Sequence, residues 1–144
     1  MRNVHSALRT AIATRFAASA ALSDAASGGL HYATAYSATE PFVTFWFVDV
    51  VPFRTLRGSV PKGFDFRVQF DVYSDSLSPN EAEQIATLVG ETYERHALTF
   101  ADHQFVWVDT MRQGVIGPMR ADDDPNVSGW RCTEDYIIKV EHSP

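Results

Sequence analysis

The side chains best suited to acid–base chemistry fall between positions 94 and 109. They could supply the proton donor and acceptor of a general acid–base pair, and they are Glu94, His96, Asp102, His103 and Asp109. Their spacing matches no HExxH, nucleophile-elbow or Ser/His/Asp signature. Strand alternation would place His103 and Asp109 on one face with Phe105 and Trp107, which is more typical of packing residues. An active site is therefore not expected here.

A second candidate is the acidic run Asp122-Asp123-Asp124, which is followed by Pro125 and Asn126. Carboxylate oxygens are ligands for divalent cations. The run lacks the spaced oxygens, the Gly and the Glu of an EF-hand loop. Charge runs in loops are usually solvated, so a solvated turn is favoured. A metal or a basic partner surface is the alternative.

Cofactor signatures are missing from the sequence. The glycines fit neither a P-loop nor a dinucleotide-binding spacing. The single cysteine, Cys132, has no CxxC partner for zinc and none for an internal disulfide. Phe45, Trp46 and Phe47 could stack on bases, but strand periodicity favours core packing. We expect no cofactor, no metal and no enzyme activity.

The totals describe an ordinary globular chain of 144 residues, 45% hydrophobic and 21% charged. This predicts a single domain over 1–144. The net charge of −6 argues against tight nucleic-acid binding, which needs a basic footprint. Arg9 and Arg15 interrupt the apolar residues of the N-terminal segment, so we expect neither an export signal nor a membrane span.

Hydrophobic periodicity predicts two helices. The first covers about 3–22 and ends near Ser23-Asp24, before a loop with Gly28-Gly29. The second starts at a capping box, Ser78 to Glu81 with Pro79 at the first helical position. It runs to about His96, and its apolar stripe is Ala82, Ile85, Leu88, Val89 and Tyr93.

Four strands are predicted. Residues 42–50 are apolar on both alternating sets, which is typical of a strand covered on both faces, either by helices and a neighbouring subunit or inside a sandwich. In FDFRVQFDVYSD (64–75), Phe64, Phe66, Val68, Phe70 and Val72 point to the core, and the opposite face is solvated or at an interface. The last two strands are 103–111 and 130–140; in the latter Trp130, Cys132, Tyr136, Ile138 and Val140 share a face.

Two turn-rich segments, about 51–63 and 114–129, are predicted to be long loops, the first of them alternatively an extended hairpin arm. The order helix, two strands, helix, two strands does not suit a doubly wound parallel sheet. We therefore predict an α+β fold, in which a mostly antiparallel sheet of about four strands has two helices packed on one face.

The chain resembles the tail terminator, or tail completion, proteins of long-tailed bacteriophages. The resemblance covers about Val4 to Glu141. It rests on the opening helix ALRTAIATRF, the strand PFVTFWF, the strand GFDFRVQFDVYSD with the helix NEAEQIATLVGETY, and the final strand WRCTEDYIIKVE. The longer GPMRADDDPNVSG segment departs from the family pattern.

The resemblance implies a structural virion protein of the tail and neck, made in the bacterial cytoplasm. Such a protein forms a ring, six-membered in the family, on the head-proximal end of the tail tube. The ring stops tube growth and meets the neck proteins of the head. The implied partners are further copies of the chain, the tail tube protein and a head–tail connector, while DNA passes through without specific binding. Another connector or neck subunit is the nearest alternative.

Exposed polar side chains are the candidate contacts of such a ring. A ring uses heterologous contacts, so Arg54, Arg57 and Lys62 of one arm could meet Asp122, Asp123 and Asp124 of a neighbour. Arg67, Gln69 and Asp71 would face the lumen or a neighbouring subunit. A different class of protein, a small-molecule binding domain, would use a pocket lined by Phe45, Trp46, Phe66 and Trp107.

Overall fold

The computed structural model describes residues 3–35, 38–54, 61–101, 103–120 and 129–144. Within these ranges the chain forms, in order, the helices and strands α1 (Val4–Ala18), α2 (Ala20–Ala25), β1 (Leu30–Tyr32), β2 (Phe42–Phe53), β3 (Gly63–Ser74), α3 (Asn80–Tyr93), β4 (Phe105–Arg120) and β5 (Trp130–His142). The predicted α+β class is confirmed. None of the helices in these ranges is long and apolar enough to cross a membrane.

The strands form a five-stranded sheet in the order β1-β2-β3-β5-β4. The β2–β3, β3–β5 and β4–β5 pairs are antiparallel, and β1 runs parallel to β2. The sheet therefore has one strand more than expected. β1 has three residues, too few for an alternating pattern to emerge from the sequence.

The core lies between the helices and one face of the sheet. Phe66, Val68, Phe70 and Val72 of β3 are fully buried there, as their alternation predicts. A hydrogen bond of 2.8 Å, donated by the Tyr93 hydroxyl to the carbonyl oxygen of Ile12, joins α3 to α1 inside this core. Both long helices thus pack on the same side of the sheet, as predicted.

The predicted first helix is broken at Ser19. This residue has extended backbone angles and its side chain accepts a hydrogen bond from the Leu22 amide, so it caps a separate short helix. Its hydroxyl also lies 3.2 Å from Thr92 Oγ1 of α3. Serine favours such local bonds over continuing a helix, and hydrophobic periodicity alone does not detect the break.

The capping box of α3 is formed only in part. Ser78 Oγ accepts a hydrogen bond of 3.3 Å from the amide of Asn80, and α3 begins at Asn80 with Pro79 as its cap residue. Glu81, however, accepts a hydrogen bond of 2.6 Å from the Ser74 hydroxyl at the end of β3. The glutamate therefore ties the helix to the preceding strand.

Both segments predicted as long loops are partly strand, and the first takes the alternative form of an extended hairpin arm. Residues 51–53 continue β2 and pair with residues 63–65 of β3. Gly63 is needed at this end, because a Cβ there would lie 2.2 Å from the carbonyl oxygen of Val140. Likewise, residues 114–120 belong to β4, where register shifts accommodate Gly114 and the Gly117-Pro118 pair. Residues 55–60 and 121–128 lie outside the described ranges.

Candidate assembly surface

The sheet face opposite the helices carries the polar set of β3. Asp65, Arg67, Gln69 and Asp71 alternate with the buried set and pair with residues 139, 137, 135 and 133 of β5. Arg67 is exposed and Gln69 is half-buried. Arg67, Gln69 and Asp71 therefore lie together on one surface, here called the open face, and no described helix covers it.

Asp71 is held inside its own subunit. The carboxylate accepts a hydrogen bond of 2.6 Å from the Thr133 hydroxyl and one of 3.1 Å from the Gln69 side-chain amide. Its side chain is buried. Each of its oxygens thus has a donor from the same chain, as buried carboxylates require. Asp71 orders the open face, whereas Arg67 is free to extend from it.

Apolar side chains line the open face along β4, the strand at one sheet edge. Val106, Met111, Ile116 and Met119 are exposed and stand opposite residues 141, 137, 133 and 131 of β5. We call these four residues the β4 strip. Asp109 and Gly114 lie between them along the strand. Several exposed apolar side chains on one strand face are typical of an interaction surface. The predicted strand ends at Met111, so Ile116 and Met119 lie beyond it, in the part of β4 that was predicted to be a loop.

The other edge of the open face carries a groove beside Trp46. The groove has a volume of about 470 Å³, and its lining includes Ala33, Phe42, Thr44, Trp46 and Tyr73. We call this feature the Trp46 groove. Trp46 is 40% exposed, so β2 is covered by helices on one side and open on the other. The sandwich alternative does not hold in the described ranges, where the strands form one sheet.

The aromatic pocket suggested by the sequence does not form. Phe45 and Phe66 are buried on the helix side of the sheet, whereas Trp46 borders the groove on the opposite face. The Phe70 ring stacks on the ring of Phe45, its partner on the neighbouring strand, with 5.9 Å between the ring centroids. Phe45, Phe66 and Phe70 therefore build the core. Trp46 lies on the open face, so its predicted core packing was wrong.

The charged side chains predicted to join neighbouring arms differ in their surroundings. Lys62 pairs with Glu141 of its own chain at 3.4 Å. Arg54 follows β2 directly and is exposed. Arg57 and the acidic run Asp122, Asp123 and Asp124 lie outside the described residues, so their pairing stays a prediction.

Of the residues suited to acid–base chemistry, Glu94 and His96 line one open cavity after α3, and Asp102 lies outside the described residues. A register shift sets Trp107 opposite Val140 but Asp109 opposite Lys139, so Asp109 does not share the face of Phe105 and Trp107 and that expectation was wrong. Asp109 pairs with Arg95 at 3.4 Å. His103 precedes the strand with a φ of 56°. In the described ranges, no cluster of His, Cys, Asp and Glu could hold a metal ion.

Comparison with known proteins identifies the family. The family model described as tail completion protein gp17 matches residues 10–128. A chain in the virion of a native gene transfer agent particle superposes with a TM-score of 0.78 at 17% identity, covering 98% of this chain and 99% of that chain.

The bacteriophage SPP1 gp17 protein superposes with a TM-score of 0.52 at 20% identity, covering 96% of this chain and 88% of that chain. Among curated proteins, none matches the sequence. Because the family model spans most of the chain, the protein belongs to the family of tail completion protein gp17, a structural component of virion tails.

Proposed function

We propose that this chain forms a closed ring, six-membered as the family resemblance implies, on the head-proximal end of a tail tube. The ring ends tube growth and joins the tail to the neck of the head. Its partners are neighbouring copies of the chain, the tail tube protein and a head–tail connector. The role is structural and needs no catalytic step.

The observation that carries this proposal is the pair of unlike surfaces on the open face. The β4 strip lies at one edge of the sheet and the Trp46 groove at the other. A cyclic ring requires two different patches on each subunit, one for each neighbour. We place the β4 strip of one copy against the Trp46 groove of the next, with Arg67 and Gln69 between them.

The charge of the chain suits a channel that DNA passes through. The net charge of −6 disfavours counterion release on the phosphate backbone, which is the main source of sequence-independent DNA affinity. An acidic lumen would thus let DNA slide.

A second contact of the proposed ring joins the arms. Arg54 and Arg57 of one copy would meet Asp122, Asp123 and Asp124 of its neighbour, because the two segments carry opposite charge. Lys62, which pairs with Glu141 in its own chain at 3.4 Å, belongs to the same basic segment. Reversing both charges, Arg54→Glu with Arg57→Glu, should weaken assembly in low salt. Unchanged assembly would remove this contact from the proposal.

Another head–tail connector or neck subunit is the alternative within the same class. The likeness to a chain of a gene transfer agent virion is compatible with either position. The two differ in the place of the protein: a terminator touches the tail tube, whereas a more distal connector does not. Binding of the purified chain to preformed tube ends would therefore separate them.

A mixing experiment tests the ring contact. Trp46→Glu places a charge in the groove, and Ile116→Glu places one in the strip. Each variant alone should therefore form no rings, as measured by light scattering and negative-stain imaging. Mixed in equal amounts, the two should give dimers but no rings, because each variant keeps one intact patch. Leu77→Glu is the matched control, since Leu77 is 90% exposed and lies in neither patch.

Two results would reject this contact. Rings from either single variant would show that the patch concerned is not at the interface. Monomers in the mixture, with both variants folded, would mean that the strip and the groove do not meet.

A further inference from the structure

The Trp46 groove combines aromatic rings with a carboxylate. Along the open face, the cross-strand pair Thr44 and Asp71 lies between Trp46 on one side and the pair Phe42 and Tyr73 on the other, and all five side chains line the groove. The rings of Phe42 and Tyr73 are stacked, with 5.1 Å between their centroids. The face of an aromatic ring attracts a cation, and the carboxylate adds a full negative charge. This lining is therefore suited to a cationic group.

The charge of Asp71 has no cation beside it. Thr133 and Gln69 donate hydrogen bonds to its two oxygens, but both donors are neutral. Among the described residues, no arginine or lysine pairs with this carboxylate. A carboxylate has about four acceptor positions, so two remain open. Because a buried charge is costly unless it is paired, the groove has capacity for one cation.

Thr44 supplies a second acceptor at the same place. It is 7% exposed and lines the groove, and its hydroxyl makes no hydrogen bond within the described part of the chain. Buried polar groups without a partner are rare in native proteins. Two adjacent acceptors, Thr44 and Asp71, match the planar donor fork of a guanidinium better than the point charge of an ammonium. The groove therefore favours an arginine side chain.

Arg131 of β5 has the matching properties beside the β4 strip. It is half-buried on the open face and stands opposite Met119 of the strip. Its Nη2 lies 3.6 Å from Met119 Sδ, so the guanidinium extends towards the β4 edge of the sheet. No carboxylate in the described ranges pairs with it. Its charge is thus uncompensated at the surface that the proposed ring sets against the groove.

We propose that Arg131 of each copy enters the Trp46 groove of the next copy, where it donates to Asp71 and Thr44 and stacks on Trp46. The pairing rests on the proposed ring contact and names its polar anchor. Covering the groove with the apolar β4 strip alone would leave the Asp71 charge buried without a counterion, which is costly. The arginine offsets that cost and, through its charge, fixes the register of the two patches.

The test uses a dimer that contains only one such contact. Trp46→Lys blocks the groove of the first chain, because a cation there repels arginine, and Ile116→Glu blocks the strip of the second chain. In the mixed dimer, the first chain supplies Arg131 and the second supplies Asp71. Sedimentation equilibrium measures the dissociation constant of this dimer.

Arg131→Gln in the first chain should weaken the dimer roughly tenfold to hundredfold, as expected for a lost hydrogen bond to a charged group. The same substitution in the second chain is the matched control. It should change nothing, although Arg131 there lies opposite Tyr73 of its own groove. Asp71→Asn should give the reverse pattern. Arg131→Lys in the first chain should retain only part of the affinity, because ammonium lacks the donor fork.

The outcomes separate this pairing from the ring contact. Equal effects of Arg131→Gln in the two chains would place its role within its own subunit and overturn the pairing. A dimer that the substitution weakens in neither chain would also overturn it, while the ring contact would stand. A mixture without dimers would reject the ring contact and the pairing with it.

An arginine probe tests the groove without the ring. N-acetyl-arginine amide should shift the Trp46 indole NMR signal of the Ile116→Glu chain saturably, with a dissociation constant of about millimolar order. N-acetyl-citrulline amide, the neutral isostere, should not. No saturable shift would overturn the assignment to guanidinium. Binding of the probe, combined with a dimer that is insensitive to Arg131→Gln, would overturn the assignment to a neighbouring copy in favour of an arginine from another protein.

Discussion

The Thr133 hydroxyl of β5 donates a hydrogen bond of 2.6 Å to Asp71 Oδ1 of β3. Both side chains are buried, although they lie on the sheet face opposite the helices. The sequence placed Asp71 among the candidate contacts of a neighbouring subunit or lumen. The bond fixes Asp71 at the centre of the open face, where it also lines the Trp46 groove, and its contact with a neighbour or the lumen stays a prediction.

Replacing Thr133 by Val should therefore destabilise the subunit. The variant keeps the shape of the side chain and removes a bond to a charged acceptor, a loss of roughly 1.5–3 kcal/mol in the free energy of unfolding. Urea denaturation measures the effect. Thr44→Val is the control, because Thr44 is buried on the same face and its hydroxyl makes no hydrogen bond to any described residue. Equal losses in the two variants would refute the role of the bond.

Tyr93→Phe tests the link between α3 and α1. It removes the hydrogen bond to the carbonyl oxygen of Ile12 and leaves the packed ring, so we expect a loss of about 1 kcal/mol. Tyr73→Phe, on the open face, should change the unfolding free energy by less. If Tyr93→Phe left the free energy of unfolding unchanged, apolar packing alone would join the two helices.

Cys132 should be unreactive in the folded protein. Burial, followed by the charges of Glu134 and Glu83, raises the pKa of its thiol to about 11, and the thiolate is the reactive form. Ellman's reagent at neutral pH should therefore react slowly with the native chain and quickly after denaturation. Equally fast reaction in both states would contradict the buried position of this residue.

The stability of the chain should depend on pH through Glu134. Its pKa rises from an ordinary value of 4.5 to about 7 on folding, so the folded state binds an extra proton between these values. Stability should then fall as pH rises through this window and level off above it.

The matching variant is Glu134→Gln. The wild-type minus variant difference in unfolding free energy should fall by at most about 3.5 kcal/mol across the window, at ~1.4 kcal/mol per pKa unit. Denaturation curves at several pH values measure it. A difference that stays constant with pH would mean that the carboxyl is ionised throughout.

The parts of the fold that were predictable are those with one buried face. The alternation in β3 and the helical stripe of α3 located core residues such as Phe66 and Val89, because a single buried face imposes a clear period. β1 is too short to show one. The second half of β4 exposes Val115 and Ile116 on opposite sides, so no period distinguishes it from a loop.

The candidate surfaces depend on contacts between distant segments. The Trp46 groove is lined by residues that follow β1 and by residues of β2 and β3. No local sequence pattern predicts it, because these segments are distant along the chain. The buried position of Glu134 could be predicted from the sequence, because strand alternation between Cys132 and Tyr136 places it on the helix face. A carboxylate at a buried position is typical of a structural or binding site, because burying a charge is costly unless it is paired.

Cryo-electron microscopy of tail tubes assembled with this chain would show directly whether copies of it close a ring at the tube end. We expect one closed ring of copies at the head-proximal end of each tube, with the β4 strip of each copy against the Trp46 groove of its neighbour. Copies distributed along the tube, or tubes whose ends carry none, would contradict it.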